Sequence, residues 1–198
     1  MKSAKPLALA FGMTLAILLA NLPSAHAQYG YPPPPPPRGV YRSGLLLGLS
    51  LGAGGISAEN CGFVCGGGFS GEFHVGGMIT PRLALMGDFW GVFHPWSDAA
   101  GSATTIHTIS SFALQHWVSP IVWLKGGIGF GRMQLVDESG GGYTYAEETG
   151  LAVMGAVGVE VLQLADFALD LQFRLGRGFY DIGGDGNSYA FMVGLNWY

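Results

Sequence analysis

Phe167-Ala-Leu-Asp-Leu-Gln-Phe-Arg-Leu175 alternates without a fault: Phe167, Leu169, Leu171, Phe173 and Leu175 fall on one face of an extended strand, and Ala168, Asp170, Gln172 and Arg174 on the other. A half-buried strand of a water-soluble sheet also alternates. Here, however, about eight such segments follow one another, and no amphipathic helix is available to cover their apolar sides. The solvent that suits those sides is hydrocarbon, and in hydrocarbon a sheet must close on itself so that no backbone N–H or C=O is left unpaired. The expected fold class is therefore all-β, an eight-stranded antiparallel up-and-down transmembrane β-barrel with its apolar faces outward and its charges inward.

The start of the chain agrees with that destination. Residues 1–27 carry Lys2 and Lys5, an apolar run from Leu7 to Ala20, Pro23 and the small-residue site Ala25-His26-Ala27. This pattern reads as a cleaved secretory signal peptide. Its apolar core is shorter than the roughly 20 residues of a spanning helix, and no later segment supplies such a run. Residues 28–42 follow as a proline-rich periplasmic tail. Its six prolines, Pro32 to Pro37, favour a rod of about 19 Å at roughly 3.1 Å per residue.

Composition narrows the function. Charged residues make up 11 % of the chain, hydrophobic residues 49 %, and there are 34 glycines, a poor match to a water-facing surface. Lys2 and Lys5 are two of the 9 basic residues, so the mature chain sets 7 against 13 acids, a net charge of about −6. No basic patch exists, and nucleic acid is excluded as a partner. The two cysteines, Cys61 and Cys65, lie four apart in an exported protein and read as a local disulfide.

Within 43–198, the barrel domain, the strands are read at about Gly44–Ala53, Gly67–Ile79, Leu83–Phe93, Ala103–Trp117, Val122–Gly131, Thr149–Val161, Phe167–Leu175 and Ser188–Tyr198. The connections alternate in length. Tight turns contain Pro81, Pro120 and Asp166, and long acidic loops are expected at 54–66, 94–102, 134–148 and 177–187. Long loops on one side and tight turns on the other place both termini in the periplasm. Outward aromatics gather near the strand ends, Phe69, Phe93, Phe130 and Tyr189 toward the loops and Trp117, Phe167 and Trp197 toward the turns, as two interfacial girdles.

With these residues in view, 43–198 resembles the small eight-stranded outer-membrane barrels, such as the OmpA transmembrane domain and OmpX. The C-terminal Gly194-Leu195-Asn196-Trp197-Tyr198 carries the most specific likeness. In that family a terminal aromatic strand is read by the barrel-assembly machinery, which makes Trp197 and Tyr198 the candidate assembly signal. The resemblance implies a monomeric barrel in the bacterial outer membrane whose partners are membrane lipid and lipopolysaccharide. The full OmpA arrangement adds a peptidoglycan-binding domain after the barrel; this chain stops at strand eight, so no such domain is expected, and no cofactor is expected.

The inward positions gather Glu72, His74, Asp88, His107, Lys125, Glu160, Asp170, Gln172 and Arg174. In a lumen of eight strands, which side chains about fill, these are expected to form a paired polar network that plugs the barrel. The inward glycines Gly127, Gly129 and Gly131 raise the alternative of unfilled volume beside Lys125 and a narrow gated pore. The acidic loops, with Asp181 and Asp185 among flexible glycines, raise a weak cation reading that lacks EF-hand spacing; no metal ligands are assigned. A lipid-modifying enzyme needs a nucleophile within reach of its base. The first serine on the His107 face of the same strand, Ser111, lies about 13 Å away at roughly 3.3 Å per residue. No catalytic residue is assigned, and the expected role is non-enzymatic: envelope integrity or surface contact through acidic extracellular loops.

Overall fold

The computed structural model describes residues 42–58, 65–98, 101–137, 143–164, 166–181 and 184–198. The signal peptide and the proline-rich stretch before Arg42 lie outside them. So does Cys61, and with it the expected disulfide to Cys65. Among the described residues no helix is long and apolar enough to cross a membrane. Eight strands form a closed barrel in chain order: β1 (Leu45–Ala58), β2 (Gly66–Thr80), β3 (Leu83–Asp98), β4 (Gly101–Trp117), β5 (Val122–Asp137), β6 (Tyr143–Gln163), β7 (Phe167–Phe179) and β8 (Gly186–Trp197).

Every neighbouring pair is antiparallel, and the ring is sealed where β1 meets β8 from Leu47↔Trp197 to Ala58↔Gly186. Period-two patterning sets the facing of each strand. In β7 the even positions Ala168, Asp170, Gln172 and Arg174 are buried, while Leu171 and Leu175 are exposed. β4, the most diluted strand by sequence, follows the same rule, with Ile106, Thr108, Phe112 and Leu114 turned out and Thr105, His107 and Ile109 turned in. Phe112 exposes 78 % of its surface and Phe191 67 %. Among the described residues nothing covers these rings, which is the condition of a lipid-facing wall. Of the expected girdle residues, Trp117 is misplaced by the sequence reading: it is fully buried inside the barrel. The reason is parity, since Trp117 lies ten residues from the inward His107.

The strands also run farther than the apolar pattern does. β3 reaches Asp98 and β4 begins at Gly101, so most of the expected loop at 94–102 is paired strand. β5 and β6 stay paired out to Asp137↔Tyr143, across most of the expected loop at 134–148. Beyond the hydrocarbon both faces of a sheet meet water, so the ladder continues after the hydrophobic alternation has lapsed. His94 and Arg132, expected in or at the edge of loops, accordingly sit in strands.

Replacing Phe112, at about mid-height on the outer wall, with Arg is expected to cost about 2–4 kcal/mol in denaturant unfolding from lipid vesicles. Thr144→Arg, on the exposed stretch of β6, is expected to change stability by no more than about 0.5 kcal/mol.

Candidate functional site: the barrel interior and its two mouths

All nine inward polar residues expected from the sequence are buried. The fold does not gather them into one cluster but stacks them in three layers.

The middle layer is ionic. Lys125 on β5 points its ammonium at Asp88 Oδ2, 2.9 Å away, and Glu72 Oε1, 3.1 Å away. Arg174 on β7 donates from Nη2 to Asp88 Oδ2 at 2.6 Å, and its Nη1 lies 3.5 Å from Glu72 Oε1. Two cations thus meet two carboxylates across the lumen, which is what makes these buried charges tolerable. His74 lies 2.6 Å from Glu72 Oε1 through Nδ1. A carboxylate only accepts, so that nitrogen is the donor. Ser50 donates to the other Glu72 oxygen at 2.5 Å and accepts from Gln172 Nε2 at 2.6 Å.

Glu72, His74 and Asp88 hold donor atoms within 4.8 Å of one another, the spacing of a metal site. The space among them is taken by the chain's own ammonium, since Lys125 Nζ also lies 3.4 Å from His74 Nδ1. The inward glycines supply no free volume beside it. A Cβ at Gly127 would stand 2.8 Å from Ser111 Oγ, and one at Gly131 2.7 Å from the Tyr180 hydroxyl. Neighbouring strands use the room that the missing side chains leave.

The layer near the short turns is organised by Glu160. Its Oε1 accepts from Trp117 Nε1 and from the Tyr198 hydroxyl, each at 2.7 Å. Oε2 accepts from Arg42 Nη2 and Gln163 Nε2, each at 2.5 Å. Arg42 also donates to the Pro120 carbonyl at 2.8 Å and lies 4.7 Å from the centre of the Trp117 ring. One carboxylate therefore ties together the residue before the barrel, β4, the end of β6 and the last residue of the chain. Asp170 stands nearby with neutral donors, Trp123 Nε1 at 3.1 Å and Asn196 Nδ2 at 2.8 Å. Of the two terminal aromatics, Tyr198 turns inward to Glu160, and Trp197 faces out.

The layer near the long connections is the least polar. His107 Nδ1 is hydrogen-bonded to Ser188 Oγ on β8. Sequence reasoning examined serines on the strand of His107 and so missed a partner delivered by barrel closure. The pair is no triad: His107 Nε2 has no partner among the described residues, so no acid orients the ring.

Outside the lumen the charges pair locally. Arg177 holds Asp185, which occupies one of the carboxylates of the weak cation reading. Arg132 donates to Glu147 at 2.6 Å, with Gln134 3.3 Å away. The hydrogen bond from Arg132, followed by its charge, holds the exposed Glu147 carboxyl below its ordinary range.

No protein-family model matches this sequence, and no curated protein matches it. Solved structures do. Neisserial surface protein A shares 16 % identity with a TM-score of 0.57, over 78 % of this chain and 97 % of that one. The attachment invasion locus protein Ail of Yersinia pestis shares 11 % identity with a TM-score of 0.56, over 79 % of this chain and 99 % of that one. A second structure of Ail, with the heparin analogue sucrose octasulfate, matches at 11 % identity and a TM-score of 0.57, over the same shares of the two chains. The fold is that of the small eight-stranded outer-membrane barrels.

Two outcomes follow from this geometry. Lys125→Ala, which leaves Glu72 and Asp88 to share the Arg174 guanidinium, is expected to destabilise the barrel by about 3 kcal/mol in denaturant titration, and Lys125→Ala with Glu72→Gln by less. Because the folded carboxyl of Glu147 titrates below its ordinary value, its ion pair is intact at neutral pH and is lost as pH falls through that lowered pKa. Arg132→Ala is expected to move the Glu147 titration upward, read by NMR.

Proposed function

We propose that this chain is a closed, non-enzymatic barrel of the bacterial outer membrane that acts by surface contact. The observation that carries the reading is an asymmetry of strand length. β2 and β3 begin to pair at Phe69↔Phe93, and β6 and β7 at Leu151↔Phe179. Above those levels β3, β4, β5 and β6 go on pairing with one another. A four-stranded sheet thus continues past the last β2–β3 and β6–β7 pairs on the side of the long connections, with about eight residues of β6 beyond Leu151, or roughly 25 Å at about 3.3 Å per residue.

Among the described residues such a sheet has two edges without a ladder partner, and unpaired edges are sites for strand addition. The β3 edge, His94 to Asp98, is interrupted by Pro95, which has no N–H to offer. The β6 edge, Tyr143 to Gly150, contains no proline. The β6 edge is therefore the contact surface, and Glu147 and Glu148 on it favour a partner that is not acidic. Ail was solved with a polyanionic heparin analogue; the acidic rim of this chain argues for a different ligand class.

The three filled layers support a plugged lumen over a narrow pore. In this reading the short turns and both termini are periplasmic, and the protein is a monomer surrounded by membrane lipid and lipopolysaccharide. The barrel-assembly machinery reads β8, where Trp197 is the aromatic on the outer face.

The mature protein, refolded and checked by its heat-dependent gel shift, is expected to leave a planar bilayer silent. Displayed on a laboratory bacterial host, it is expected to raise adherence to cultured cells. Proline at Ala146 or at Glu147 should reduce that adherence, since at one of these adjacent positions the N–H points to the free edge. Discrete channel openings together with unchanged adherence would overturn the proposal in favour of a pore.

A further inference from the structure

Tyr180 directly follows β7 and continues its inward-facing even positions, so its side chain enters the barrel at the mouth opposite Glu160. It is 8 % exposed. Its ring rests on glycines contributed by four successive strands. A Cβ at Gly131 of β5 would stand 2.7 Å from the Tyr180 hydroxyl, one at Gly150 of β6 3.3 Å from Cδ1, and one at Gly186 of β8 3.1 Å from Cε2; Gly178 of β7 faces the hydroxyl as well. Each glycine occupies an inward position, and together they form a cradle shaped for one aromatic ring. The ring meets His107 edge-on, with centroids 5.9 Å apart at 72°. Below it lies the His107–Ser188 pair.

The tyrosines at the two mouths are bonded differently. The Tyr198 hydroxyl donates to Glu160. The Tyr180 hydroxyl is buried and has no hydrogen-bond partner among the described residues. A buried hydroxyl without a partner opposes the state that buries it, whereas the same hydroxyl swung outward is satisfied by water. Packing on the cradle favours the closed position, and the unpaired hydroxyl favours the open one.

We propose that Tyr180 is a displaceable stopper of the outer mouth. Seated on its glycine cradle it covers the His107–Ser188 pair; displaced, it opens that pair to water and small polar solutes. Access ends at that pair, because the Lys125 and Glu160 layers close the barrel beneath it. This goes beyond surface contact and holds whether or not the β6 edge binds a partner.

The test places a reporter thiol under the ring. Ser188→Cys is introduced into the refolded full-length mature protein, and modification by a small methanethiosulfonate reagent is followed by mass spectrometry at that site. Ile56→Cys, opposite Ser188 on β1, serves if the first variant fails its gel-shift check. Labelling follows the population of the open state. Tyr180→Ala is expected to speed labelling about tenfold or more. Tyr180→Phe, which keeps the ring and removes the unpaired hydroxyl, is expected to slow it about tenfold relative to the tyrosine protein. The order alanine, tyrosine, phenylalanine from fast to slow supports the stopper. Any other order, or equal rates, overturns it.

Discussion

A peptide group in hydrocarbon has no water to fall back on, so a sheet that enters a membrane must pair its last strand with its first. The seam from Leu47↔Trp197 to Ala58↔Gly186 meets that requirement, and the rest of the architecture depends on it. Closure sends one face of every strand to lipid and the other to a narrow lumen. The apolar residues have only the outside to occupy. The charged ones are confined to a space too small for bulk water, where each must find a counterpart.

The lumen answers with neutrality at its centre. Lys125 and Arg174 face Glu72 and Asp88 from opposite walls, a pairing that no hairpin could make alone because β2 and β3 meet β5 and β7 only across the closed ring. Glycine plays a complementary part. An eight-stranded cylinder cannot hold a large side chain at every inward position, so bulk at Trp90, Trp123 and Tyr180 is matched by glycines at Gly176, Gly158 and Gly131. At these three inward glycines a neighbour's ring takes the room that a side chain would need.

The two ends differ in kind. Near the short turns a single carboxylate with four donors locks Arg42, Trp117, Gln163 and Tyr198 together. At the other end the ring of Tyr180 rests on glycines, its hydroxyl has no partner among the described residues, and half of the wall continues past it as paired strand. The end near the short turns is thus held by ionic and hydrogen bonds, and the end near the long connections by packing.

Much of this was legible in the sequence, because lipid imposes a strict period of two. Phe167 to Leu175 is enough to assign lipid and lumen faces, and the parity of Glu72, Asp88, Lys125 and Arg174 is enough to send them inward. The same parity would have placed Trp117 inside and Tyr180 over the lumen. Legibility ended with the hydrocarbon: beyond it both faces of a strand meet water, so the growth of β3 to β6 through the expected loops left no periodic trace. It ended also at questions of partnership. Which anion meets Lys125, which serine meets His107 and which carboxylate receives Arg42 are matters of stagger and closure between strands far apart in the chain. The sequence by itself determined the period, the facing and the closed topology, since these follow from the solvent on each side; the tertiary structure alone decided the pairs, since they depend on which strands the closed ring sets face to face.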